Sequence, residues 1–225
     1  MLLLNTIFNS VLSIVFPVKC LSCGQNGREL CIKCLSNIRV AERETAEWIF
    51  PIYDYRDPPI KKALWLLKYK GKKRLAIVFA EIVHGKILEE LSDLSLLENF
   101  RNPILIPIPL SKNRLRERGY NQVELICKEI IKLNDLRHGV NMTLENNILI
   151  KPKETEHQAR IENRRERLKN IVGSFAVKNE DKNKLKNKNV ILIDDITTTG
   201  ATLDEARKTL RKAGAKKIIA FTVAH

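Results

Sequence analysis

The sequence predicts an α/β fold: a mostly parallel sheet flanked by helices, with a small four-cysteine module at the N-terminal end. Three observations carry that expectation. Apolar runs at 104–110 (ILIPIPL) and 190–193 (VILI), and the strand-like segment at 216–223 (KKIIAFTV), alternate with segments of helical spacing, the order that builds a parallel sheet. The run at 190–193 has no polar residue on either alternate position, as in a strand buried on both faces. Two C-x-x-C pairs precede all of this, at 20–34. A chain of 225 residues has room for one such core plus a small appendage.

With 44% hydrophobic and 29% charged residues the chain falls in the ordinary soluble globular class, which excludes a low-complexity or disordered one. The net charge of +14 favours polyanionic partners: nucleic acid, a membrane surface or a polyphosphate substrate. No transmembrane span is expected. Residues 1–16 (MLLLNTIFNSVLSIVF) have no basic n-region, their first following lysine being Lys19, and no A-x-A site. Leu4, Ile7, Phe8, Val11, Leu12 and Val15 instead recur at helical spacing, so an amphipathic helix packed on the body is preferred to a signal peptide.

Cys20, Cys23, Cys31 and Cys34 form two pairs separated by seven residues. Each pair can offer two thiolates to one ion, and Gly24 permits the tight knuckle after the first. Two disulfides are the alternative. A chain without an export signal belongs in a reducing cytoplasm, which favours Zn²⁺, and a closed Cys₄ set argues for a structural metal. Cys127 falls between Val123 and Ile130 on an apolar helix face and is expected in the core.

Residues 48–55 (WIFPIYDY) read as a strand, and Pro51 places it at a sheet edge. Residues 60–74 (IKKALWLLKYKGKKR) then hold seven basic residues and no acid. On a helix, Ile60, Leu64 and Leu67 form a core face, while Lys61, Trp65, Lys68 and Lys72 form a second stripe. With Tyr69 beside it, that stripe has the cations and rings of a single-stranded DNA-binding surface. An amphipathic helix with a half-buried Trp and solvated lysines fits the same residues.

The strand at 104–110 leads into Leu110, Ser111 and Lys112, and on through a basic turn to 122. A strand, a basic turn and a helix start can hold a pyrophosphate and offset its charge as a leaving group; a solvated turn is the alternative. Residues 147–150 suggest a short strand, 151–170 a mobile or partly helical lid, and 171–177 a further strand. Residues 178–189 (KNEDKNKLKNKN) read as a solvated loop without function.

The most informative stretch is 190–202, VILIDDITTTGAT. Asp194 and Asp195 stand at the end of the strand, where open α/β sheets place ligands. Leu203, Ala206, Leu210 and Ala213 then recur at helical spacing, with Gly214 at the stop. Thr198, Thr199, Gly200, Ala201 and Thr202 therefore form a loop opening a helix, where amides, hydroxyls and the helix dipole can hold a phosphate. A carboxylate pair beside a phosphate cradle suits a sugar phosphate, through ribose hydroxyls or an accompanying Mg²⁺. The G-x-x-x-x-G-K-[ST] pattern of a Walker loop is missing. The stretch resembles the phosphoribosyl-pyrophosphate (PRPP) signature of type I phosphoribosyltransferases.

Taken with FPVKCLSCG at 16–24, the second cysteine pair, YDYRDPPIKKALWLLKYKGKKRLA at 53–76, PIPLSKNRLRERGYNQVELI at 107–126, the lid at 155–158 and NIVGSF at 170–175, the chain resembles the ComF family of competence proteins. That resemblance implies a zinc module and N-terminal helix over 1–47 and a phosphoribosyltransferase-like domain over 48–225. It implies that Asp194 and Asp195 hold the ribose hydroxyls and Mg²⁺, and that 198–202 hold the 5′-phosphate. It also implies a role in natural transformation, with single-stranded DNA, a competence helicase or other transformation proteins as partners. The lid departs from the family pattern: Glu156, His157 and Arg160 surround Gln158 where proline or small residues are usual, so no lid residue is assigned a catalytic role. Two functions follow as expectations. One is phosphoribosyl transfer from PRPP to an unidentified nitrogen acceptor. The other is a non-catalytic DNA-binding factor with PRPP as a regulatory ligand.

Overall fold

The computed structural model describes residues 17–42, 46–97, 99–152 and 171–225. The expected N-terminal helix over 1–16 lies outside these residues, as does all of the expected lid beyond its first two positions. Five parallel strands make the main sheet: β1 (Ile49–Tyr53), β2 (Ile104–Pro107), β3 (Thr143–Leu144), β6 (Val190–Ile196) and β7 (Ile218–Ala224), in the spatial order β1-β7-β6-β2-β3. A separate antiparallel pair joins β4 (Leu149–Ile150) to β5 (Ala176–Val177). The helices are α1 (Ile32–Leu35), α2 (Pro58–Tyr69), α3 (Leu75–Leu97), α4 (Lys112–Arg118), α5 (Gln122–Leu136), α6 (Lys182–Leu185) and α7 (Ala201–Lys212).

The apolar run at 190–193 becomes the middle of the sheet, paired with β2 on one side and β7 on the other, and all four residues are buried. Its side chains alternate between two cores. Ile191 and Ile193 pack with Phe221, Val223 and the inner faces of α2, α3 and α5. Val190 and Leu192 pack with Ile218, Ala220 and the Leu203, Ala206 and Leu210 stripe of α7. Truncating one such residue to Ala costs about 2–5 kcal/mol. Pro51 sits in β1, which ends the five-stranded sheet and pairs within it with β7, so the proline occupies the edge position its missing N–H requires.

Helix α2 starts on Pro58 and buries Ile60, Ala63, Leu64 and Leu67. The cysteine module lies against it. Cys20, Leu30 and Ile38 join the same core as Ile60 and Leu64, Arg28 pairs with Glu81 of α3, and Val40 bridges to Tyr53.

Two local expectations change. Only Ala176–Val177 of 171–177 is strand, because Gly173 turns the chain at φ 69° just before it. Residues 178–189 are not a plain solvated loop: a 3₁₀ turn (Asn179–Asp181) leads into α6, and Leu185 fills the second core. Among the described residues no helix is long and apolar enough to cross a membrane.

Candidate functional site

A cleft of about 480 Å³ opens where β6 and β2 end, lined by residues 108–111, 194–203 and parts of α2, α4 and α5. Asp194 and Asp195 sit at the tip of β6 and face different surroundings. Asp195 is buried at 5% exposure; its Oδ1 lies 2.9 Å from Lys68 Nζ and its Oδ2 accepts a hydrogen bond from Gln122 Nε2. Asp194 is half-buried, and its Oδ1 accepts from the Asp195 amide at 2.8 Å. Burial, reinforced by the Asp195 carboxylate, pushes the Asp194 carboxyl up to about 7, against the opposing pull of Lys68 and Lys151.

The loop after the strand is fastened from below. The Thr197 amide donates to Ala224 O at 2.9 Å, and His225 Nε2 lies 3.2 Å from Thr198 O. Gly200 caps α7 in the left-handed region at φ 74°, and its carbonyl accepts from the Asp204 amide at 2.8 Å. Thr198, Thr199, Gly200, Ala201 and Thr202 all line the cleft. The first N–H groups of a helix have no intrahelical acceptor, so the start of this 12-residue helix presents donors and a positive dipole end to the same space. Asp204 stands in the first turn; burial raises its carboxyl pKa despite Arg207 nearby.

The facing wall comes from the segment after β2. Leu110 and Ser111 line the cleft, and Ser111 Oγ is buried with no hydrogen-bond partner among the described residues. Lys112 is exposed and is not part of the lining. Arg114 and Arg118 take the place expected of it. Arg118 Nη1 donates to Gln122 Oε1, and its guanidinium lies 5.2 Å from the centre of the Tyr69 ring. Tyr120 OH donates to Leu67 O, tying this wall to α2.

The second stripe of α2 does not stay together. Lys61 is exposed and Trp65 is 47% exposed, but the Lys68 side chain is turned into the cleft at 16% exposure, and Lys72 lies beyond the helix end. Lys68 therefore leaves the nucleic-acid set and joins the acidic pair. Its place was hidden by helical spacing alone, which puts it on the second stripe with Lys61 and Trp65. Gln122 carried one local signal: it follows Asn121, whose side chain accepts from the Val123 amide as a helix cap while its Nδ2 donates to Ile108 O at 3.0 Å.

The four N-terminal cysteines are free thiols whose sulfurs lie within 4.8 Å of one another, with Cys23 and Cys31 Sγ 3.7 Å apart. A tetrahedral ion with bonds of about 2.3 Å to sulfur sets S···S edges near 3.8 Å, so the donor set fits zinc. Burial works against the Cys20 thiolate, yet the Cys23, Cys31 and Ser22 amides hold its pKa down at about 6. The Ser22 hydroxyl favours the Cys34 thiolate, yet hydrogen bonding with the neighbouring Cys31 and Cys23 thiols together pushes Cys34 up to about 11. Cys127 is fully buried in the core.

Residues 150–225 match the phosphoribosyl transferase domain family. The chain is 34% identical over 173 residues to Competence protein ComFC of Bacillus subtilis, a match covering 76% of this chain and 62% of that protein. It is 38% identical over 116 residues to Competence protein F of Haemophilus influenzae, covering 51% and 46%, and 32% identical over 162 residues to Competence protein ComFC of Streptococcus pneumoniae, covering 69% and 59%. The matched segments thus span about half to three fifths of these relatives' own lengths.

Proposed function

The chain belongs to the ComF family and carries a phosphoribosyltransferase domain, and from that premise we propose that it binds PRPP with Mg²⁺ and acts in natural competence in the cytoplasm. The observation that carries this reading is the shared cleft: a carboxylate tip, a Gly-capped helix start and a buried, unpartnered serine hydroxyl converge on one space.

In this reading the 5′-phosphate lies on the amides and hydroxyls of Thr198 to Thr202, and Asp194 takes a ribose hydroxyl. Ser111 Oγ and Arg114 receive the pyrophosphate end, where the arginine offsets the charge that develops as the C1–O bond breaks. Mg²⁺, when bound, would neutralise diphosphate oxygens beside the acidic pair. Transfer then places the phosphoribosyl group on a nitrogen acceptor. Calorimetric titration with Mg²⁺ and PRPP tests the binding, with Asp194→Asn expected to weaken it at least tenfold. Pyrophosphate release across a panel of nucleobases separates turnover from a purely regulatory ligand.

A second reading, DNA binding, is favoured by a specific surface. Trp65 and Tyr69 are 47% and 59% exposed with ring centres 6.4 Å apart, and Lys70 Nζ sits 5.3 Å over the Trp65 ring. Adjacent rings among cations can stack bases and neutralise phosphates of a single strand delivered by a competence helicase or another transformation protein. Zinc in the Cys₄ set would be structural, fastening the module against α2.

A further inference from the structure

We propose that Lys68, on α2 and outside the matched phosphoribosyl transferase segment, is a PRPP-binding residue: it anchors on Asp195 and offers its remaining N–H donors to the ligand's anionic oxygens. This rests on the PRPP reading above and deepens it. The two aspartates then divide the work. Asp195 has one oxygen on Lys68 and the other on Gln122, and is buried, so it serves as an anchor. Asp194, half-buried at the cleft wall, is the carboxylate that faces the ligand.

An ammonium carries three donors, and Asp195 is the one ion-pair partner of Lys68 among the described residues. Lys68 itself lines the cleft. Its charge also answers an electrostatic problem: two adjacent carboxylates would otherwise repel a polyanion entering the same space. The helix positions it firmly. Leu67 on one side is buried and receives the Tyr120 hydroxyl on its carbonyl; Tyr69 on the other stacks against Arg118. A cation held this way loses little freedom on binding.

The test is a cycle of four proteins titrated calorimetrically with PRPP and Mg²⁺: wild type, Lys68→Met, Asp195→Asn, and the double variant. Lys68→Met alone leaves a buried carboxylate without its ion-pair partner and can misfold; with Asp195→Asn in place that charge is gone. The inference expects Lys68→Met to weaken PRPP at least about tenfold, the loss of one charge-assisted contact, and to do so in the Asp195→Asn background as well. Equal affinity of the double variant and Asp195→Asn would overturn it, reducing Lys68 to a support for Asp195. Unchanged affinity of a folded Lys68→Met would overturn it while leaving the PRPP reading standing. A wild type that ignores PRPP would overturn both.

Discussion

Gly200 faces Ile49 so closely that a Cβ added to the glycine would lie 3.3 Å from Ile49 Cδ1. The same glycine holds φ 74° at the start of α7, a region that costs a residue with a side chain about 1–2 kcal/mol. The left-handed backbone favours glycine at the turn into the helix, and an added Cβ would also need Ile49 Cδ1 to give way. Gly200→Ala is expected to lower stability by about 1–2 kcal/mol and to weaken PRPP further than stability alone explains, because the Thr198–Thr202 amides would shift. Chemical denaturation and calorimetry on the same variant check it; a stable variant with wild-type affinity would refute the phosphate cradle.

Asp194 makes stability fall as pH rises. Its folded pKa, held at about 7 by burial and the Asp195 charge, lies above the ordinary value of 3.8. The folded state therefore binds the proton more tightly than the unfolded one. The stability this gives is fully present below about pH 4 and is lost as pH climbs to about 7. Asp194→Asn should remove the dependence. Without Mg²⁺ or PRPP, the variant should gain stability relative to wild type between about pH 4 and pH 8, read as urea midpoints. A difference that stays constant across that range would show that Asp194 ionises normally. The same substitution abolishes the proposed ribose contact, so stability and binding should move in opposite directions.

Zinc should be bound one ion per chain and should matter to the body as well as the module. Cys20 is buried in the core that holds Ile60 and Leu64 of α2, so loosening the cysteine loop exposes that helix. Native mass spectrometry is expected to show a single zinc adduct that Cys23→Ser loses. The melting temperature should fall in the same variant. A protein that retains full stability and PRPP affinity after chelation would make the metal dispensable.

Much of the fold was legible because its elements have strong local signatures. The unbroken apolar run at 190–193 read as a strand buried on both faces and became the central one, and Pro51 marked an edge. The turn at 198–202 announced itself by Thr, Gly and the helical spacing behind it. Helix α3 left no comparable trace: Leu75, Val78, Phe79, Ala80, Val83 and Ile87 are buried on several sides, so its apolar residues lack a one-sided stripe. The site was legible where the chain is continuous, from Asp194 to Thr202, and hidden where it is assembled from afar. Lys68 and Gln122 reach Asp195, and Arg118 reaches Gln122 behind it, only through the packing of α2, α4 and α5, which no local spacing records. For the same reason helical periodicity put Lys68 on the outer stripe, and the strand, turn and helix-start pattern put Lys112 at the cleft.

With Lys68 turned inward, the outer face of α2 becomes a sharper test of DNA binding. Lys61 and Trp65 remain exposed, Tyr69 extends the aromatic surface, and Lys70 covers Trp65. Stacking on one ring is worth about 1–3 kcal/mol per base, whereas a lysine contributes through counterion release. The two kinds of substitution should therefore separate. Trp65→Ala should weaken binding to a single-stranded oligonucleotide at every salt concentration, leaving the salt slope unchanged. Lys61→Ala should flatten the slope of log affinity against log salt by about 0.7, the value for one phosphate contact. Fluorescence anisotropy across a salt series reads both. Binding that ignores salt, or that survives both substitutions intact, would move nucleic acid off this face of the helix.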